Sequence, residues 1–362
     1  MSEAAGTFVP PHCPNEHCHY HRLDRPRWQW VRIGFYTRQL APRRIQRFQC
    51  RHCRRRFSTQ TFSTTYWLRR PLLAELFGRL VGCSGYRQIA RALGCSPHLV
   101  LGQAARLGRH CLLFHEQRRP AVLEPLSLDT FVGFEFSQYA PTGFHVAAGS
   151  SHFFYGFTLS ELRRSGTMRE GQKRRRVELE RRHGRPDPRA TEHDVATLLA
   201  TLCPRPQGLE LHTDEHEDYP RALMRLPHLA VTHRTVSSRA ARTPRNPLFP
   251  INLLDLLIRH SGANHKRETI AFSKRRQSAS ERLWVLLVWR NYQKSISERS
   301  RDETPAMRLG IASRRWTTEE ILSERLFVSR VGLPATWGRH YRREVTTRYL
   351  GNNHRHRLRY AA

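Results

Sequence analysis

The sequence has few acidic residues and no long apolar run. Its 362 residues include 30 aspartates and glutamates against 62 lysines and arginines, so the formal net charge at pH 7 is +32. No apolar segment reaches the roughly 20 residues that a membrane-spanning helix needs, and we expect no membrane partner. Such a positive charge predicts a polyanionic partner, with nucleic acid favoured over an anionic membrane surface. Arginine far outnumbers lysine. That excess suits bidentate phosphate contacts, although a GC-rich genome produces the same bias.

The N-terminal residues lack the features of a secretory signal. Residues 1–6 contain neither a positively charged region nor an apolar region. We therefore expect a cytoplasmic protein in a reducing environment, where disulfides are rare. In that environment the clustered cysteines of the chain are predicted to be metal ligands.

Two cysteine pairs flank a hairpin-like segment near the N-terminus. Cys13 and Cys18 enclose four residues, Cys50 and Cys53 enclose two, and the alternating segment 28–36 lies between the pairs. Four thiolates on two tight turns are typical of a structural Zn²⁺ site in a zinc ribbon, which leaves no coordination position for chemistry. The alternative, four unrelated buried cysteines, does not explain the pairing. One nearby histidine could replace a cysteine: His12, His17, His19, His21 or His52.

Helical patterning follows between residues 71 and 115. Apolar residues recur at helical spacing over residues 72–80 and again over 86–93, where Gly94 is placed to end a helix. Ser96 is a predicted N-cap, and Pro97 is the first residue of the next helix. A helix, a glycine-containing turn and a capped helix predict a helix-turn-helix, although an ordinary helical hairpin has the same pattern.

Two groups of polar side chains are candidates for DNA contacts. The first is the basic run after the second cysteine pair, Arg54, Arg55 and Arg56. The second lies outside the apolar stripe of the helix that begins at Pro97 and is predicted to face the major groove: His98, Gln103, Arg106 and Arg109. For both groups the alternative is a solvated polar face.

From residue 126 the pattern becomes mixed. Three strands are predicted at 126–138, 144–149 and 153–159, followed by charged helices over 167–203, a strand that ends at Asp214, a strand at 228–232 and a helix that carries Asp255. This order of elements is that of the ribonuclease H-like fold. The predicted fold class is therefore a multidomain α+β protein with a zinc ribbon, a helix-turn-helix and a ribonuclease H-like mixed α/β core.

Three carboxylates fall at related places in this core. Asp129 lies in the first strand, Asp214 ends the fourth, and Asp255 lies on the later helix. If they converge at one sheet edge, they form a site for Mg²⁺ or Mn²⁺, which prefer oxygen ligands and assist displacement at phosphorus. Asp255 could instead pair with Arg259. Other acceptors in these regions remain open as ligands or neighbours: Glu135, Glu215, Asp218, Asn252, Glu268 and Glu281.

The joint order of these motifs resembles the DDE-type transposases of bacterial insertion sequences that combine a zinc ribbon and a helix-turn-helix with a ribonuclease H-like core. The resemblance covers residues 13–295. The segment from Asn252 through Asp255 to Arg259, followed by 267–274, is similar to the third-acid region of that family. The third acid of the family is usually glutamate. A gapless comparison through Arg259 and Phe272 puts Asn252 in its place.

The resemblance implies metal-dependent DNA cleavage and strand transfer at the bacterial nucleoid, with Asp129, Asp214 and Asp255 as ligands. It also implies binding of double-stranded DNA at the element ends by a homo-oligomer. The alternative is a non-catalytic DNA-binding protein, either a regulator or an inactivated descendant. The predicted domains are the zinc ribbon (1–60), the helix-turn-helix (61–120), the core (121–300) and a basic C-terminal extension (301–362) that contacts DNA or is partly disordered.

Overall fold

The computed structural model describes residues 8–23, 28–39, 41–64, 70–266, 269–323 and 325–351, which form a mixed α+β structure with a three-stranded and a five-stranded sheet. The strands are β1 (Trp30–Thr37), β2 (Arg44–Cys50), β3 (Arg56–Ser58), β4 (Leu126–Phe134), β5 (Pro141–Gly149), β6 (Phe154–Glu161), β7 (Gln207–Thr213) and β8 (Leu229–Thr235). The helices are α1 (Arg70–Val81), α2 (Tyr86–Ala92), α3 (Pro97–Arg118), α4 (Glu170–His183), α5 (Ala190–Leu202), α6 (Asp218–Leu223), α7 (Phe249–Ser261), α8 (Arg276–Tyr292), α9 (Pro305–Arg308), α10 (Thr318–Ile321) and α11 (Ala335–Tyr341).

The small N-terminal sheet has its own aromatic core. Strands β1, β2 and β3 pair antiparallel in that order. The rings of Phe48 and Phe57 stack with centroids 5.5 Å apart, and Trp28 stacks on Phe57 at 5.7 Å. These rings pack beside the cysteines, so metal ligands and apolar burial stabilise the same small unit.

Helices α2 and α3 form the predicted helix–turn–helix pair of elements. Gly94 has φ +57°, the left-handed conformation expected of a glycine that ends a helix. The Ser96 side chain accepts a hydrogen bond from the Leu99 amide at 3.2 Å, and Pro97 begins α3. The capping predictions are therefore confirmed. Helix α3 continues to Arg118, beyond the predicted end at residue 115.

Helix α3 lies directly against α8. A β-carbon at Gly108 would be 2.4 Å from the Glu281 carbonyl oxygen, so only glycine permits this approach. Helix α8 is buried on nearly every side. Helices α1–α3 share one continuous hydrophobic core with the large sheet, so the predicted boundary at residue 120 does not separate two cores.

The five-stranded sheet has the order β6-β5-β4-β7-β8. Strands β4, β5 and β6 form an antiparallel meander, whereas β4, β7 and β8 are parallel. Helix α5 packs on β5 and β6 and belongs to the crossover that a parallel β7 requires. Helix α7 packs against β4 and β5. This arrangement brings β4, the end of β7 and α7 together.

Strand β4 ends earlier than predicted. It stops at Phe134 instead of residue 138, because Phe136 has φ +57° and the chain turns back there. Glu135 leaves the strand for a buried ion pair with Arg276, and its Oε2 accepts a hydrogen bond from Thr347 at 3.2 Å. Glu135 is therefore a buried structural residue, not an exposed one.

The C-terminal region up to residue 351 is part of the core. Trp337 on α11 is fully buried, and its indole Nε1 donates to the Phe157 carbonyl at 3.0 Å. Phe327 enters the aromatic core of the N-terminal sheet, and Arg325 donates to the Thr61 carbonyl at 3.2 Å. The aromatic side chains of this predicted basic extension therefore belong to the two hydrophobic cores. Residues 352–362 lie outside the described residues.

In the part of the chain that the structure describes, no helix combines the length and the apolar character needed to cross a bilayer.

Candidate functional site

The four predicted cysteines lie together. The Sγ atoms of Cys13, Cys18, Cys50 and Cys53 are all within 4.8 Å of one another, and the first three cysteines are buried. The Sγ atoms of Cys13 and Cys53 are 3.5 Å apart, and all four are free thiols. Soft thiolates in a four-ligand group are typical of a structural Zn²⁺ site. The cluster is therefore compatible with a zinc ribbon that holds a structural metal.

The neighbouring histidines have other roles. His21 bonds the Cys13 carbonyl through Nδ1 at 2.7 Å and the Ser329 hydroxyl through Nε2 at 2.8 Å. His12 bonds the same carbonyl at 3.0 Å and packs edge-on against Phe62. No histidine joins the four-cysteine group among the described residues. Among the described residues near the N-terminus the four cysteines alone form a group that could hold a metal, His21 bonds the Cys13 carbonyl, and His52 Nδ1 lies 3.7 Å from Cys18 Sγ.

Parallel pairing of β4 and β7 places the first two aspartates side by side. The register pairs Ser127 with His212, and both aspartates follow two residues later, Asp129 on β4 and Asp214 just past β7. Side chains at matched positions of neighbouring strands point to the same face. Burial alternates along β7, with Leu209 and Leu211 inside, and the strand ends just before Asp214 as predicted.

Helix α7 brings the third aspartate to the same place. The carboxyl groups of Asp129 and Asp255 lie within hydrogen-bonding range of each other. Asp255 Oδ1 is shielded from solvent and has no hydrogen-bond partner among the described residues. The predicted alternative of an exposed pair with Arg259 does not describe this position.

The electrostatics of the three carboxyl groups are linked. Burial and then the Asp129 charge raise the pKa of Asp255 well above its usual range. Burial also raises the pKa of Asp129, and the Asp214 charge adds to that rise. Burial and then the charges of all three aspartates raise the pKa of Tyr219 on α6. One tyrosine therefore faces the whole trio. The structure brings together the three residues that the sequence predicted.

The acid cavity, as we name the opening lined by Asp129 and Asp255, has a volume of about 990 Å³. Its wall also includes three arginines and two amides: Arg164, Arg242, Arg259, Gln138 and Asn252. Arg242 lowers the pKa of both wall aspartates, which opposes the effect of burial. The cavity wall thus combines two half-buried aspartates with three arginines, an arrangement that can hold a metal ion beside a phosphate group.

A hydrogen-bonded chain supports Asp129 from its neighbour. The amide of Thr130 donates to Asp129 Oδ1 at 2.6 Å, and Tyr219 donates to Thr130 Oγ1 at 3.4 Å. The same hydroxyl bonds His145 Nδ1 at 2.7 Å, and His145 Nε2 bonds the Ser160 hydroxyl at 2.6 Å. Sequence reasoning did not find Thr130, Tyr219 or Arg242. The only local signal was the position of Thr130 beside an aspartate in an apolar strand.

The other candidate ligands lie at different places. Glu215 is exposed, and Asp218 at the start of α6 lies 3.6 Å from His216. Asn252 lines the acid cavity one turn before Asp255 on α7. Glu281 faces α3 and forms an ion pair with Arg343 at 2.9 Å. Glu268 lies outside the described residues.

The predicted DNA-contacting residues divide into two groups. Among the described residues, Arg54, Arg55, Arg56, His98 and Arg106 are exposed. Gln103 is 4% exposed, and Arg109 is half-buried with its guanidinium 5.8 Å from the Tyr341 ring centroid. The prediction of an outward position is wrong for Gln103, which is buried, whereas Arg109 keeps partial exposure beside Tyr341 of α11.

Comparison with known proteins adds no assignment. No model of a known protein family matches the sequence, and no curated protein matches it significantly.

Proposed function

We propose that this chain is a metal-dependent DNA-cutting and joining enzyme of the DDE transposase type, with a ribonuclease H-like core. The observation that carries the proposal is the convergence of Asp129, Asp214 and Asp255 from a strand, a strand end and a helix in a protein of net charge +32. The predicted order of strands and helices from β4 to α7 also supports it, with the short helix α6 added between β7 and β8.

The residues of the acid cavity fit a divalent cation. Asp255 Oδ1 is buried without a donor among the described residues, so it is available to a cation. Asp129, Asp214 and Asp255 would hold Mg²⁺ or Mn²⁺, which when bound stabilises charge on the attacking and leaving oxygens. The three do not form a group with all ligand atoms within 4.8 Å of one another among the described residues.

The remaining residues of the cavity bind and orient the DNA. The guanidinium groups of Arg164, Arg242 and Arg259 on the wall suit the phosphodiester oxygens. Tyr219 and Thr130 keep Asp129 in place by hydrogen bonds. The attacking oxygen comes first from water and then from a DNA 3′-hydroxyl, so the chain itself supplies no nucleophile. The metal-bound ribbon and the helix-turn-helix recognise the DNA ends, and the protein acts as an oligomer on them.

A strand-transfer assay on paired DNA ends with Mg²⁺ or Mn²⁺ tests the proposal. Asp129→Asn and Asp214→Asn should bind DNA as wild type does and lose roughly 10²–10³-fold in cleavage rate. Asp218→Asn is the matched control, because Asp218 lies at the start of α6 with its carboxylate 3.6 Å from His216 and is not one of the three proposed ligands. Equal cleavage by wild type and both aspartate variants would remove the catalytic assignment.

A second candidate is a non-catalytic DNA-binding protein. It is favoured by Asn252, which stands where the related family has glutamate and lines the acid cavity beside Asp255. Single alanine variants of Asn252, Asp255 and Glu268 identify the third ligand in the same assay. If wild type binds the DNA ends with high affinity but does not cut them with either metal, the DNA-binding function alone remains.

A further inference from the structure

Helix α4 has little hydrophobic attachment to the rest of the protein. None of its fourteen residues is buried: Val177 is 56% exposed, Leu179 is half-buried, and the His183 ring packs edge-on against Tyr349. Most helices in proteins owe their stability to an apolar face packed on a core. A helix that is polar on all sides is usually exposed to solvent and is stabilised by pairs of its own side chains. Helix α4 therefore displays its side chains to solvent.

Polar tethers hold α4 beside the acid cavity. Arg163 donates from Nε and Nη2 to the two carboxylate oxygens of Glu180 at 2.8 and 3.1 Å. Arg176 donates to the carbonyl of Arg164 at 2.9 Å, and Arg164 lines the acid cavity. At the other end, Arg348 donates to the His183 carbonyl at 3.0 Å. The helix is thus fixed to the rim of the cavity by its polar groups.

The cations of α4 fall into two classes. Lys173 pairs with Glu170 at 2.6 Å, and Arg175 pairs with Glu178 at 2.7 Å. Three exposed arginines form no ion pair among the described residues: Arg174, Arg181 and Arg182. Residues seven and eight positions apart share a helix face, and Arg174 and Arg181 are about 10.5 Å apart along the axis. The unpaired charges therefore form one stripe.

We propose that the stripe of Arg174, Arg181 and Arg182 on α4 binds the phosphate backbone of a DNA duplex that extends from the acid cavity. A row of unpaired guanidinium groups complements the regular negative charge of a duplex. Such contacts position DNA without reading its sequence. This inference rests on the proposed function for the identity of the ligand, and it names a partner surface that the catalytic residues do not include.

Paired variants on the same helix test the inference. Arg174→Gln/Arg181→Gln removes two unpaired charges, and Lys173→Gln/Arg175→Gln removes two paired ones with the same change in net charge. Glutamine keeps high helix propensity, so both variants should retain their circular dichroism and melting temperature. Binding of a 30-base-pair duplex is measured by fluorescence anisotropy over a salt series without added Mg²⁺.

The first variant should bind the duplex about tenfold more weakly, and its slope of log affinity against log salt should fall by about 1.8. The control variant should lose less than about threefold. Similar losses in the two variants would overturn the inference. The inference would also be overturned if binding to phosphatidylserine vesicles depended on Arg174 and Arg181 while binding to DNA did not. If wild type does not cut DNA while the first variant alone loses affinity, the proposed catalysis fails and the inference stands.

Discussion

The carboxyl groups of Asp129 and Asp255 lie within hydrogen-bonding range of each other, one from a strand and one from the helix packed on it. Two carboxylates so close cannot both be ionised without strong repulsion, unless a cation or a shared proton lies between them. Arg242 and Arg259 relieve part of this repulsion from the cavity wall. The pair is therefore a site where proton binding and metal binding compete.

Replacing one member of the pair should stabilise the metal-free protein. Asp255→Asn removes the repulsion and gives Asp129 a donor, so we expect the free energy of unfolding at pH 7 to rise by about 1–3 kcal/mol in urea titrations. The same variant should lose the increase in melting temperature that Mg²⁺ causes in wild type. Asp218→Asn serves as the control and should keep that increase. A destabilised Asp255→Asn with an intact metal response would contradict this prediction.

The same pair predicts a pH dependence of stability. The pKa of Asp255 is raised in the folded state, so the folded chain holds a proton that the unfolded chain releases above about pH 4. The stabilisation that this proton provides is complete below about pH 4, and it is lost as the pH rises towards the pKa of Asp255 in the folded state. The difference in unfolding free energy between Asp255→Asn and wild type should therefore increase from pH 5 to pH 7.

Taking the difference between the two proteins removes the contribution of buried histidines, which has the opposite sign. Burial lowers the pKa of His110 to about 4 and that of His265 to about 3. These side chains stay neutral in the folded state, and the stability that they contribute is lost as the pH falls below about 6.5. A difference that stays flat between pH 5 and pH 7 would show that the carboxyl pair does not share a proton.

Removal of the metal from the cysteine cluster should unfold the N-terminal sheet. Cys50→Ser should lower the zinc content measured by atomic absorption and reduce the melting temperature, because metal binding and folding are coupled in such small units. Cys95→Ser is the control, since Cys95 is half-buried and lies outside the cluster. An equal zinc content in the two variants would exclude the four-cysteine site.

Trp337 should be essential for the stability of the large core. It packs beneath Gly156, where a β-carbon would lie 2.4 Å from the indole Cζ2. We expect Trp337→Ala to lower the free energy of unfolding by about 3–5 kcal/mol in urea titrations. Leu123→Ala is the control, because Leu123 is 91% exposed. A small loss, comparable to that of the control, would mean that the C-terminal segment is dispensable for folding.

Local sequence patterns determined much of this protein. The spacing of Cys13, Cys18, Cys50 and Cys53 identified the four-thiol cluster, and the capping residues Ser96 and Pro97 placed the start of α3. Alternation along β7 predicted a strand that ends in an acid. These features depend on residues that are adjacent in the sequence, so their conformational preferences can be predicted without knowledge of tertiary contacts.

Only the tertiary structure decided which faces are covered. Gln103 is polar and lies outside the apolar stripe of α3, yet it is only 4% exposed. Trp337 lies in an arginine-rich segment, yet it fills the core. Asp129 and Asp255 are more than a hundred residues apart in the sequence and lie close together only in the folded protein. Burial and charge coupling arise from residues distant in the chain, so a one-dimensional pattern determines which elements form but not which surfaces meet.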